Sequence, residues 1–276
     1  MSNHSFRRGD CRIHYEVHGQ GLRVLFFNGS GLTLESSAWL IMGFANTCRV
    51  AAHDQRGFGK SGVPDGPYSM ADYAADGAAL LDDLGWRQCA VVGFSFGGMV
   101  AQEFAVTFPE RVPRLVLMCT SAGGSLGASY PLHELVLLPM KERLRMMRLL
   151  TDSRFSDQWL REHPVDAAIV AKLTDRIKAQ RSARQLKGER LQLEARSQHD
   201  VSDRLPCITC PTFVAAGRYD GLAPIANSEA MVAKLRNAQL HVYEGGHIFA
   251  AQDPYAMPEM IKFLHGGYKD DSEPRP

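Results

Sequence analysis

The sequence predicts an α/β fold in which a mostly parallel central sheet is flanked by helices, with a helical cap inserted late in the chain. Three observations predict it. Short apolar runs of strand length alternate with helical stretches over residues 11–119, and again over 212–264. The continuously apolar runs, as strands buried on both faces must be, are followed by glycine-bearing loops. Between about Ser121 and Arg204 the strand-like runs vanish and only helical patterning remains. The division that follows is a core of residues 1–123 and 205–276, with a cap over 124–204.

Residues 11–18 alternate apolar and polar as a half-buried strand would, and Gly19-Gln20-Gly21 turns the chain. Residues 23–27 are a short buried strand that ends in Asn28-Gly29-Ser30-Gly31. A helix is expected over 35–45, with Trp39 and Phe44 turned inward, then a third strand over 48–52. The loop Asp54-Gln55-Arg56-Gly57-Phe58-Gly59-Lys60-Ser61 follows. Residues 69–84 carry an apolar stripe of Tyr73, Ala74, Gly77, Leu80, Leu81 and Leu84, with Ser69 as N-cap and Gly85 as stop. A strand over 90–92 runs into a sharp turn, and a helix from Phe96 to about Phe108 precedes a strand over 114–119. In the cap, helices are expected over 131–137, 141–150, 156–162 and 164–196, with Pro164 in a first turn. Leu135, Leu138, Met140, Met146, Met147, Phe155 and Trp159 are expected to pack the cap onto the sheet. The pattern resumes with strands over 212–216 and 239–243 and helices over 225–235 and 254–264. Residues 266–276 read as a frayed tail.

Composition excludes several classes. A chain of 276 residues with 45% hydrophobic content builds a large core, and its net charge of +1 gives no pull toward nucleic acid or anionic membrane. Residues 141–196 hold 14 Lys/Arg against 8 Asp/Glu. That surplus reads as a solvated helix surface or as attraction for an acidic substrate. Residues 1–10 lack the apolar segment of a secretory signal, and no apolar run reaches the ~18 residues of a membrane span. Six scattered cysteines suit reduced thiols in a cytoplasmic protein. Cys207 and Cys210 form a CxxC without the second pair that structural zinc requires, and prolines bracket it where a redox motif would open a helix. No metal and no cofactor are expected, and a homodimer is left open.

The stretch Gly93-Phe94-Ser95-Phe96-Gly97-Gly98 holds the pattern Gly-x-Ser-x-Gly between a strand and a helix. A serine at such a turn is strained and projects from the sheet end, and its neighbours must be nearly free of side chains. A serine hydroxyl needs a base, and a histidine acting as base needs a carboxylate to fix its tautomer. Asp220 and His247 each lie just beyond an expected strand, and the order Ser95, Asp220, His247 is the one this architecture uses. Asp200 and Asp203 are weaker choices for the acid, outside strand ends. The expected oxyanion donors are the backbone N–H groups of Phe96 and Ser30.

Together the elbow, the Asp54–Ser61 loop, Gly217-Arg218-Tyr219-Asp220 and Gly245-Gly246-His247 resemble the α/β-hydrolase fold over about residues 8–265. The resemblance implies Ser95 as nucleophile, Asp220 as acid, His247 as base, and Ser30 and Phe96 as oxyanion donors. Many members carry His-Gly where this chain has Asn28-Gly29. Similar dehalogenases and epoxide hydrolases use aspartate as nucleophile, which Ser95 argues against. The resemblance implies cleavage of a small carboxylic ester or lactone, as in enol-lactonases. Two alternatives stay open. Asn28-Gly29-Ser30-Gly31 is similar to the loop of hydrolases that split carbon–carbon bonds of ring-cleavage diketones, although those carry Asn and Trp where this chain has Phe94 and Ile248. The other alternative is a non-catalytic ligand receptor on the same fold.

Overall fold

The computed structural model describes residues 4–266. One eight-stranded sheet runs in the order β1-β2-β4-β3-β5-β6-β7-β8. Its strands are β1 His4–Arg8, β2 Cys11–His18, β3 Leu22–Phe27, β4 Cys48–His53, β5 Ala90–Phe94, β6 Leu115–Met118, β7 Thr212–Gly217 and β8 Ala238–Tyr243. The first two pair antiparallel, and β3 to β8 are parallel. The order reverses at β3, which has β4 on one side and β5 on the other. In open α/β sheets such a switch point leaves a crevice beyond the carboxyl ends of the strands.

Helices α1 Ala38–Ala45, α2 Met70–Asp83, α3 Phe96–Thr107, α9 Ile225–Lys234, α10 Phe249–Gln252 and α11 Ala256–Leu264 cover the sheet. Period-two alternation splits the core into two layers. Leu25, Phe27, Val91, Leu115, Leu117 and Val214 face α2, α3 and α9, whereas Val24, Phe26, Val92, Val116, Phe213 and Ala215 face α1 and α11. Ser69 caps α2 in a reciprocal box with Asp72, as its place in the sequence predicts.

Between β6 and β7 lie α4 Leu132–Leu135, α5 Met140–Thr151, α6 Asp157–Glu162, α7 Pro164–Lys178 and α8 Ala183–Ser197. Leu135 and Leu150 bury against Leu222, joined by Leu138, Met146 and Met147, and Phe155 is fully buried. No helix among the described residues is long and apolar enough to cross a membrane.

Three expectations are corrected, and one strand is added to those expected. Residues 4–8 form an edge strand; a tight turn at Gly9, whose φ is +59°, folds it back on β2 and backbone pairing carries it. Helix α1 begins at Ala38 and buries Leu40, Ile41, Phe44 and Ala45; Trp39 sits off that stripe and is 46% exposed. The stretch 164–196 is two helices, because Ser182 and Gln185 form a capping box that starts α8 afresh. Met140 opens α5 on the surface, so it packs nothing onto the sheet. Cys207 is exposed and Cys210 half-buried, and both are free thiols. The tail expected from residue 266 lies outside the described residues beyond 266.

Candidate active site

Strand β5 delivers Ser95 to the switch point. Ser95 has φ 55° and ψ −117°, a conformation that L residues adopt only under strain. Its surroundings hold it there. Ser95 N–H donates to Met118 O at 2.8 Å, and Ser95 O accepts Gly98 N–H at 2.8 Å. The glycines are explained by close approach. A Cβ on Gly97 would lie 2.0 Å from Phe27 O and 2.6 Å from Asn28 O, and one on Gly98 would lie 2.6 Å from the Thr120 side chain. The first turn of α3 is thereby pressed against the end of β3, beside the 28–31 loop.

His247 and Asp220 meet Ser95 there. His247 Nε2 is 2.8 Å from Ser95 Oγ, and Nδ1 is 2.8 Å from Asp220 Oδ2. A carboxylate accepts, so Nδ1 carries the ring proton and Nε2 is left to accept from the serine hydroxyl. The other Asp220 oxygen receives Leu222 N–H at 2.8 Å and Ala223 N–H at 2.9 Å. Both loops are wedged together: a Cβ on Gly217 would lie 2.0 Å from Gly246 O. The Phe94 ring lies 5.5 Å from the imidazole. Asp200 instead holds Ser202 through its N–H and hydroxyl, and Asp203 is exposed.

Cys119, whose φ is +49°, donates its thiol to His247 O at 3.0 Å. Its Sγ, an Asp220 oxygen and a His247 nitrogen lie within 4.8 Å of one another, a spacing that suits a metal ion. The donor chemistry does not suit one. Burial and the Asp220 charge push the Cys119 thiol well above its usual range, and a metal needs the thiolate. His247 Nδ1 keeps its proton and donates it in a hydrogen bond to Asp220, so it has no lone pair for a metal.

The loop after β3 is held from both sides. Asn28, buried, turns its amide to His53 O at 3.3 Å, so the position many similar enzymes fill with histidine is tied inward here. Gln55 donates to Asn28 O at 2.9 Å, and Gln192 on α8 donates to Gln55 Oε1 at 3.1 Å. Asp54 accepts Leu34 N–H and Lys60 N–H, which explains Gly59: a Cβ there would lie 2.2 Å from that carboxylate. Among the described residues no acceptor takes the N–H of Ser30 or of Phe96.

The end of α5 clamps the other two loops. Thr151 O accepts His247 N–H, and Leu150 O accepts Gly221 N–H at 3.0 Å. Gln252 accepts Gly246 N–H at 2.9 Å and donates to Asp152 and Asp166. Arg154 closes this network with two bonds to Asp152, its guanidinium 3.9 Å over the Tyr219 ring. Gln192, Gln252, Asp152 and Arg154 carry no sequence motif, and only the tertiary contacts reveal them. The box at Ser182 was the available signal that α8 begins where it must to aim Gln192.

A sequence model of the alpha/beta hydrolase fold matches residues 23–254. The chain is 29% identical to 3-oxoadipate enol-lactonase 2 of Acinetobacter baylyi, over 92% of each chain. It is 32% identical to 2-hydroxymuconate semialdehyde hydrolase of Pseudomonas putida, over 86% of this chain and 84% of that one. Among solved structures, a hydrolase from Pseudomonas aeruginosa superimposes with a TM-score of 0.77 at 27% identity, covering 96% of this chain and 98% of that one.

Proposed function

Because the chain belongs to the α/β-hydrolase family, we propose that it is a serine hydrolase that cleaves a small-molecule carboxylic ester or lactone through an acyl-enzyme on Ser95. The observation that supports this best is the unbroken chain of two 2.8 Å contacts from Ser95 through His247 to Asp220. His247 takes the hydroxyl proton as Ser95 Oγ attacks the carbonyl carbon, and Asp220 stabilises the imidazolium that forms. Phe96 N–H and Ser30 N–H receive the developing oxyanion, each such donor being worth about 3 kcal/mol of barrier. His247 then protonates the leaving alcohol. It next removes a proton from the water that releases the acid. In a lactone, alcohol and acid leave as one molecule.

In this reading residues 124–204 cap the site, and the end of α5 and Gln192 of α8 fix the loops on which the chemistry sits. The enol-lactonase relative favours lactone or ester cleavage. A second reading, carbon–carbon bond hydrolysis of a ring-cleavage diketone, is favoured by the semialdehyde hydrolase relative. Phe94 and Ile248 stand at the positions where that chemistry uses Asn and Trp, and this favours the ester reading.

A serine-reactive phosphonate is expected to label Ser95 in the folded protein, and absence of an adduct would overturn the proposal. A turnover panel of short esters, lactones and vinylogous diketones separates the two chemistries. Tight ligand binding with no turnover on any of them would make the protein a receptor.

A further inference from the structure

Among the described residues, Arg196 is a buried cation with no counter-ion. It is 8% exposed, and its Nη2 donates to Ser129 Oγ at 2.6 Å and Tyr130 O at 2.8 Å, both neutral acceptors. Its Nε has no partner among the described residues. The other buried guanidinium among the described residues, Arg56, is paired with Asp76, and even half-buried Arg154 and exposed Arg204 have carboxylates, Asp152 and Glu103. Burial alone pushes the Arg196 pKa down to about 10, with no carboxylate to oppose it, so the group is still charged at neutral pH.

A cavity of about 90 Å³ adjoins it, lined by Met99, Ser121, Ser129, His133, Arg196 and His199 among others. His199 is also buried, and its Nε2 is 3.2 Å from Ser121 O. A carbonyl only accepts, so Nε2 carries the proton and Nδ1 is an acceptor without a partner. The cavity lies one helical turn behind the elbow, since Met99 N–H reaches Ser95 O at 3.3 Å.

We propose that this cavity, between α3, the end of β6 and α8, binds the carboxylate group of a small organic acid, with Arg196 as its cation. An isolated buried charge is costly, and a bound anion offsets that cost by charge-assisted hydrogen bonds to Nε and Nη. A hydroxyl or water brought in with the acid donates to His199 Nδ1. The volume suits the carboxylate end of a molecule rather than a large ligand. The carboxylate belongs either to the substrate or to a separate acid, and the site itself stands whether or not Ser95 is a nucleophile.

The test is a titration of the full-length protein with acetate at constant ionic strength, set against chloride and neutral acetamide, read from the His199 ring resonances assigned with His199→Gln. The expected result is a saturable shift with acetate and none with acetamide. Arg196→Met should weaken acetate binding about ten- to a hundredfold. That variant loses an unpaired buried charge and should fold with equal or greater stability. Its kcat/KM on 4-nitrophenyl glutarate, which has a free carboxylate, and on neutral 4-nitrophenyl butyrate then identifies the source. A loss of tenfold or more confined to the glutarate ester places the carboxylate on the substrate. No change with either ester, alongside lost acetate binding, assigns a separate acid. No saturable shift in the wild-type protein up to about 100 mM acetate would overturn the site even if the variant failed to fold. So would an Arg196→Met protein that binds acetate as the wild type does.

Discussion

Gln192 Oε1 accepts the Gly31 N–H at 2.8 Å, across 161 positions of sequence, so a helix of the insertion fixes the loop after β3. Its amide nitrogen meanwhile reaches Gln55, and Gln55 holds Asn28 O. The main chain on both sides of Ser30 is therefore held by one amide relay. Gln192→Ala should lower kcat about tenfold with little change in KM, because the proposed oxyanion donors shift while ground-state binding does not. It should cost about 1–3 kcal/mol in urea denaturation, since Gly31 N–H and Gln55 Oε1 lose their buried partner. Gln192→Glu keeps the acceptor for Gly31 and should recover part of the activity. Equal kcat in all three proteins would remove Gln192 from this role.

Asp220 separates two duties between its oxygens, backbone N–H groups on Oδ1 and the imidazole on Oδ2. In Asp220→Asn the amide oxygen stays with the backbone donors, so the NH2 group faces His247 Nδ1. The ring must then carry its proton on Nε2, where it can no longer accept from Ser95. A fall in kcat of about 10³-fold or more is expected at unchanged fold, measured by steady-state turnover and circular dichroism.

The glycines of the elbow differ sharply from glycines that merely turn the chain. Gly97→Ala puts a methyl 2.0 Å from Phe27 O, inside rigid backbone, and should cost about 3 kcal/mol or more. Gly85, with φ +62° and open space around it, should cost about 1 kcal/mol as alanine, through conformation alone. Urea midpoints of the two variants check the ranking.

Asp76 is fully buried, and both its oxygens hold Arg56, at 2.7 and 2.8 Å. Removing one partner strands the other charge, so Asp76→Ala should lose about 3–5 kcal/mol. The exposed Arg190–Glu194 pair lies one turn apart on α8, and Arg190→Ala should cost less than about 0.5 kcal/mol. Thermal or chemical denaturation distinguishes the two classes of pair.

Burial lowers the His199 pKa to about 4, although its contact with Ser121 O pulls the other way. The unfolded chain protonates this ring near pH 6.5 and the folded protein does not. Stability should therefore be level above that pH and fall by about 1.4 kcal/mol per unit as pH drops from 6.5 toward 4. Buried His53, lowered in the same direction by desolvation, adds to the slope. Denaturant midpoints from pH 7 to 4.5 read it, and His199→Gln should flatten the curve over that window. A wild-type midpoint independent of pH there would contradict the assignment.

The alternation of apolar runs with helices determined the parallel sheet, because strands buried on both faces must read as continuous hydrophobic stretches. The glycines around Ser95 made the elbow legible, since only a side-chain-free residue fits a Cβ position 2.0 Å from a carbonyl oxygen. The edge strand at residues 4–8 leaves no periodic trace in the sequence, because backbone pairing with β2 and the single apolar ring of Phe6 hold it. Trp39 was misplaced by periodicity alone, which cannot tell which residues of a short helix border the stripe.

What the sequence by itself determined was the layered core and the order of Ser95, Asp220 and His247 along it. What only the tertiary structure decided was everything that holds those three and their loops in place. Gln192, Gln252, Thr151 and Asp152 act through hydrogen bonds formed between segments far apart in the chain, and such bonds leave no periodic or local trace. The same holds for Arg196, because a missing counter-ion becomes visible only once every neighbour is in position.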